Sequence, residues 1–174
     1  MGEQNLQRTG QMTTEESFEN HILFLKTAST TVEVLQNLDF SFDLLDDDDH
    51  EWLIIGNVET EIGRIRLMIA IRDNPCQWVL FAYHPLVIVN SMRLKTAELC
   101  MRINDQLVVG SYELNMDDGH LRYRQGIDFT RMIVPPAMIE NAITLALSTL
   151  EVYHTPVVRA LFDGLEAKEV LTEV

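Results

Sequence analysis

Cysteine is nearly missing from this sequence, with Cys76 and Cys100 the only two, in apolar settings, outside any C-x-x-C pair and at no zinc-type spacing from a histidine. That excludes a disulfide framework and a zinc-finger fold, and reads as two reduced, buried thiols. Long apolar runs are missing too: no segment approaches the roughly 18 consecutive apolar residues of a membrane span. The first stretch, Met1–Thr13, is polar and lacks the apolar core of a signal peptide. A cytoplasmic protein with no membrane partner is expected.

Positive charge is in short supply. Thirteen basic residues face twenty-seven acidic ones, a formal net charge of -14, which repels phosphate backbones and anionic lipid, so nucleic acid is not expected as a partner. The motifs of common enzyme chemistry are absent as well: there is no Gly-x-Ser-x-Gly elbow, no phosphate-cradling glycine loop and no G-x-G-x-x-G fingerprint. Tyr112 with Glu113, or His120 with Asp128, could be drawn as acid–base pairs, but they read as surface strand residues. The five histidines, His21, His50, His84, His120 and His154, fall on different expected elements with no pair at ligand spacing. The sequence therefore predicts no enzyme, no cofactor and no metal site.

What is present is an ordinary globular balance, 47% hydrophobic and 23% charged over 174 residues, enough to bury one core without staples. Residues 1–13 offer nothing to bury and read as a mobile N-terminal tail. Thr14 can cap a first helix over about 14–37, with Phe18, Ile22, Leu25, Val32 and Leu35 at helical spacing. Asp39–Glu51 is crowded with carboxylates, and the run Asp46, Asp47, Asp48, Asp49 reads as a solvated loop by self-repulsion. A cation there is conceivable, but counted as an EF-hand from Asp46 the run puts Glu51 where glycine is required.

Three strands follow, 52–59, 62–72 and 76–84. In the second, Ile65, Leu67, Ile69 and Ile71 alternate with Arg64, Arg66, Met68, Ala70 and Arg72, the pattern of an antiparallel sheet with one buried and one wet face. Ser91 can cap a helix over about 92–107, whose Asn104 is placed to satisfy backbone groups where the next strand starts. Strands 108–116 and 120–129 close at Asp117-Asp118-Gly119, where glycine supplies the positive φ of a tight turn. Pro135 and Pro136 open a last helix. Thr155-Pro156 should break or kink it, and an amphipathic pattern continues to Leu165. The fold class is α+β, an antiparallel sheet of about five strands in the order α-βββ-α-ββ-α: a single domain over 14–165, with 166–174 as a C-terminal tail.

Nine of the thirteen basic residues lie between Arg64 and Arg131. If the wet faces coincide, Arg64, Arg66, Arg122 and Arg124 with Met68 form a candidate partner-binding patch, since arginine and methionine suit adaptable protein surfaces. The plainer reading is of solvated strand residues paired with carboxylates. Met138, Leu145, Leu147 and Val152 lie off the core stripe of the last helix and are candidate dimer contacts.

The element order resembles the type III secretion chaperone-like fold. The segments Trp78-Val79-Leu80-Phe81, Ala97-Glu98-Leu99-Cys100-Met101-Arg102-Ile103-Asn104, Gly110-Ser111-Tyr112-Glu113-Leu114 and Asp118-Gly119-His120-Leu121-Arg122-Tyr123-Arg124 are similar to the bacterial YbjN-domain family. The resemblance covers nearly the whole chain and brings no catalytic residues. It implies the fold, a homodimer, a sensory or regulatory role and no enzymatic chemistry. Two functions are expected from this: a chaperone-like or adaptor domain that holds a polypeptide, or a regulatory module that binds a small ligand in its core.

Overall fold

The computed structural model describes residues 14–47 and 49–172; the expected N-terminal tail and Asp48 lie outside them. Six strands form one antiparallel sheet: β1 (Phe42–Asp47), β2 (Glu51–Thr60), β3 (Gly63–Asp73), β4 (Cys76–Val87), β5 (Ser111–Leu114) and β6 (His120–Asp128). Their order across the sheet is β1-β2-β3-β4-β6-β5. The helices are α1 (Thr14–Asn37), α2 (Arg93–Asn104), α3 (Pro136–Phe162) and a short α4 (Ala167–Val170). The expected α+β class and element order hold, with one strand added at the front.

The alternation in β3 decides which way the sheet faces. Ile65, Leu67, Ile69 and Ile71 are each 3% exposed or less and, with Trp78 and Leu80 of β4, meet α1 and α3. Trp78 is wholly buried, and its indole Nε1 donates to Thr31 Oγ1 of α1 at 3.1 Å. Thr31 in turn donates to the Thr27 carbonyl at 2.8 Å. A buried indole N–H left unmatched costs on the order of 1–3 kcal/mol, so this pair fixes α1 over the sheet in one position.

The extra strand corrects the reading of the four-Asp run as loop, since Asp46 and Asp47 belong to β1. Phe42 pairs with Gly56 and Leu44 with Ile54, while a bulge at Leu45 shifts the register before Asp46 pairs with Leu53. β1 is an edge strand, its Asp43 side chain exposed, and charge with a bulge is how an edge resists pairing with another chain. Gly56 is required here: a Cβ would stand 2.9 Å from the Ser41 carbonyl.

The far edge is blunted by Asn104. Its Oδ1 accepts from Tyr112 N–H at 2.7 Å and its Nδ2 donates to the Tyr112 carbonyl at 3.0 Å, so one amide takes the place of a strand on β5 and α2 ends there. Gly119 has φ 80° in the following turn, as expected. Arg93 donates to the carbonyls of Ile88, Met116 and Asp117, fastening that turn to the end of β4.

Three local expectations change. Ser91 does not cap α2 but lies inside a 3-10 turn, Asn90–Met92. α3 runs on through Pro156, because Tyr153, Pro156, Val157 and Ala160 are all buried on one side and hold the chain helical past the missing N–H. The stretch from 166 holds α4, which starts in a capping box between Glu166 and Glu169 and packs on α2 and α3, with Ala167 and Val170 buried.

Replacing Asn104 with alanine leaves both edge groups of Tyr112 unmatched, and we expect a loss of about 2 kcal/mol. Urea unfolding checks it; an unchanged midpoint would mean that water replaces the amide.

Candidate functional site

The face of the sheet turned away from the helices is covered by no element among the described residues. Register lays its side chains in rows. Asn57, Arg66, Tyr83, Arg122 and Glu113 form one, and Ile55, Met68, Phe81, Arg124 and Ser111 the next. The wet faces of β3 and β6 therefore coincide, and Arg66, Met68, Arg122 and Arg124 gather about two aromatic rings. Arg64 stands apart near the β2–β3 turn, paired with Glu59 at 2.6 Å.

The guanidinium of Arg66 lies 4.3 Å from the ring centroid of Tyr83, that of Arg122 4.6 Å from Phe81, and that of Arg124 5.8 Å from Phe81. Such stacking holds arginine side chains against the sheet with their charged edges turned outward. Glu113 accepts from both Arg122, at 2.9 Å, and Arg124, at 3.3 Å. Arg72 pairs with Glu51 at 2.6 Å. Among the described residues, Arg66 has no carboxylate within ion-pair reach, and one carboxylate serves two arginines beside it, so the patch keeps a positive excess. Next to it Ala70 and Val79 are 4% and 6% exposed without any helix over them. Phe81 and Tyr83 were not placed in the patch by the sequence reading, since β4 is apolar on both faces and shows no alternation.

On α3, Met138, Leu145 and Val152 are 40%, 39% and 53% exposed and recur every seven residues, which places them in one stripe. Leu147 lies elsewhere, partly buried against the core. The acid–base pairs drawn from sequence dissolve: Tyr112 is buried against Tyr153, its hydroxyl without a hydrogen-bond partner, and the Asp128 carboxylate accepts from the Thr130 N–H at 2.8 Å. Both cysteines are free and buried. Burial pushes the Cys100 thiol up to about 12, and burial with the charges of Asp73 and Asp128 raises that of Cys76, so neither is a ready nucleophile.

Two histidine clusters form where sequence spacing showed none. Under α3, the rings of His84 and His154 stack with centroids 5.1 Å apart, Nε2 of the first 3.1 Å from Nδ1 of the second. The Leu86 N–H donates to His84 Nδ1 at 3.1 Å, so the neutral ring carries its proton on Nε2. Burial, and then His154, lower the His84 pKa from 6.5 to about 4. At the opposite end of the core, His21 of α1 and His50 of the β1–β2 turn both point Nδ1 at Asp73 Oδ2, at 3.3 and 2.8 Å. These residues are 52 and 23 positions apart from Asp73, and no sequence spacing announces the meeting.

An α+β domain with helices on one sheet face and an arginine–aromatic array on the other is the class that fold and site define. A family model described as "Putative bacterial sensory transduction regulator" matches residues 32–157, and the chain belongs to this family, YbjN. Among solved structures it is similar to the "Crystal structure of YbjN, a putative transcription regulator from E. coli", with 16% identity, a TM-score of 0.53, and coverage of 71% of this chain and 85% of that one. No curated protein matches. No helix among the described residues is long and apolar enough to cross a membrane.

The unfolded chain takes up a proton below about 6.5 that folded His84 refuses until about 4, so acidification through that window removes stability, by up to about 3 kcal/mol. The variant His84→Asn keeps an acceptor for the Leu86 N–H and does not titrate. Its melting temperature should fall less than the wild type's between pH 7 and 4.5; equal losses would refute the assignment.

Proposed function

We propose that this protein is a non-enzymatic regulatory binding domain that holds an acidic polypeptide on its uncovered sheet face and works as a homodimer in the cytoplasm. The observation that carries it is the array of Arg66, Arg122 and Arg124 on Tyr83 and Phe81. Arginine and aromatic residues over a half-buried apolar floor are the composition of interface hot spots. The local positive excess, on a chain of net charge -14, favours a partner bearing carboxylates. Duplex nucleic acid needs a wider run of cations than the few arginines left over here. The stripe of Met138, Leu145 and Val152 supports a self-association surface, and reduced buried thiols suit a reducing compartment.

The small-ligand reading has the family description behind it but less in the core. The pocket between α1 and the sheet, lined by Leu35, Phe40, Ile54 and Leu67, holds about 10 Å³, room for about one water.

A labelled peptide alternating Glu with Leu should bind, and the pair Arg66→Glu with Arg122→Glu should weaken it about tenfold or more. Arg66 is exposed and Arg122 partly buried, so a circular dichroism spectrum checks that the double variant is folded. Failure to bind, or preference for a Lys–Leu peptide or duplex DNA, would overturn the partner class.

Native mass spectrometry should show two subunits for the wild type and one for Leu145→Glu with Val152→Glu. A wild-type monomer at micromolar concentration would remove the dimer.

A further inference from the structure

We propose that His21, His50 and Asp73 form a binding site for a divalent transition ion, Zn2+ in the first instance. All three ligand atoms lie within 4.8 Å of one another. In a tetrahedral zinc site with bonds of about 2.0–2.1 Å, neighbouring ligand atoms stand about 3.3 Å apart. Here the two imidazole nitrogens are 3.3 and 2.8 Å from the same carboxylate oxygen, and with all three ligand atoms within 4.8 Å of one another small side-chain adjustments bring them to zinc distances.

The surroundings are those of a built site. The Asp73 side chain is 8% exposed, and its neighbour Arg72 is spent on Glu51 across the opposite face. Its backbone is held on both sides: the Asp73 N–H donates to the His50 carbonyl at 3.2 Å, and the Cys76 thiol donates to the Asp73 carbonyl at 3.2 Å. His21 rests on Phe24, which packs edge-on to Trp52, so its ring is placed by the core. His50 is 75% exposed and leaves one side of the cluster open to water, as a fourth ligand requires.

Two neutral imidazoles and one carboxylate suit zinc and its neighbours in the first transition row, whereas Mg2+ and Ca2+ take all-oxygen sets. The acidic surface favours cation capture in general. His21 lies before the stretch that the family model matches, residues 32–157. An ion here ties the first half of α1 to the β1–β2 turn and the end of β3, adding to the hydrogen bonds that His21 and His50 already make to Asp73.

The test is isothermal titration of Zn2+ into untagged, chelator-treated full chain. We expect one ion per chain, a rise in melting temperature with zinc, and visible d–d absorption when Co2+ is substituted. His50→Gln and His21→Gln should each weaken binding about tenfold or more, while His120→Gln on the uncovered face leaves it unchanged. His50 is 75% exposed, and a circular dichroism spectrum of each variant separates loss of the ion from loss of the fold. No saturable binding up to millimolar zinc, binding undiminished in His50→Gln, or Mg2+ bound as tightly as Zn2+ would each overturn the site.

Discussion

The indole of Trp78, buried near the start of β4 and hydrogen-bonded to Thr31 of α1, determines which side of the sheet is interior. Once α1 lies across Ile69, Ile71 and Trp78, the period-two alternation of β3 sends every second residue to the other side. A one-residue slip would bury Arg64, Arg66 and Arg72 and expose four aliphatic side chains. The register is therefore locked by burial, and the arginine array is its geometric consequence: rows align because the strands cannot slide.

That lock explains why the outer face keeps an apolar floor. Ala70 and Val79 are 4% and 6% exposed on a face that none of the described helices covers. Beside them the stacked arginines cover the Tyr83 and Phe81 rings, lending their aliphatic stems to the rings and their charge to solvent. Such a surface is tolerable in isolation, since guanidinium groups deter non-specific contact. It still offers a large gain to a partner that can neutralise the charge and cover the rings together.

What could be read in advance followed from periodicity. β3, the hairpin at Gly119, α1 and the role of Asn104 each declare themselves within one window of sequence. β1 did not, because an edge strand with alternate carboxylates and four consecutive Asp residues looks the same as a loop when its partner strand is unknown. The helix through Pro156 was equally hidden, its continuation being a matter of tertiary burial. Of the site, Arg66, Met68, Arg122 and Arg124 were legible as strand positions, and their meeting depended only on register. Phe81 and Tyr83 were masked by the two-sided apolarity of β4. The histidine clusters were illegible on principle: His84 with His154, and His21 and His50 with Asp73, join elements far apart in sequence, and only the folded topology supplies their contacts.

β3 carries both the outward array and, at its end, the inward Asp73. Communication between them is nevertheless not expected to run along the strand. β3 is hydrogen-bonded to β2 along nearly its whole length and to β4 from Arg66 onward, and an element paired on both sides lacks the second arrangement that coupling needs. The groups free to respond to an ion at Asp73 are those it would draw in, the first half of α1 and the exposed turn at His50. α1 also packs against α3, whose outer stripe of Met138, Leu145 and Val152 is turned to solvent. A shift at the histidine cluster would thus pass from helix to helix toward the stripe proposed for self-association, leaving the arginine face as a rigid template.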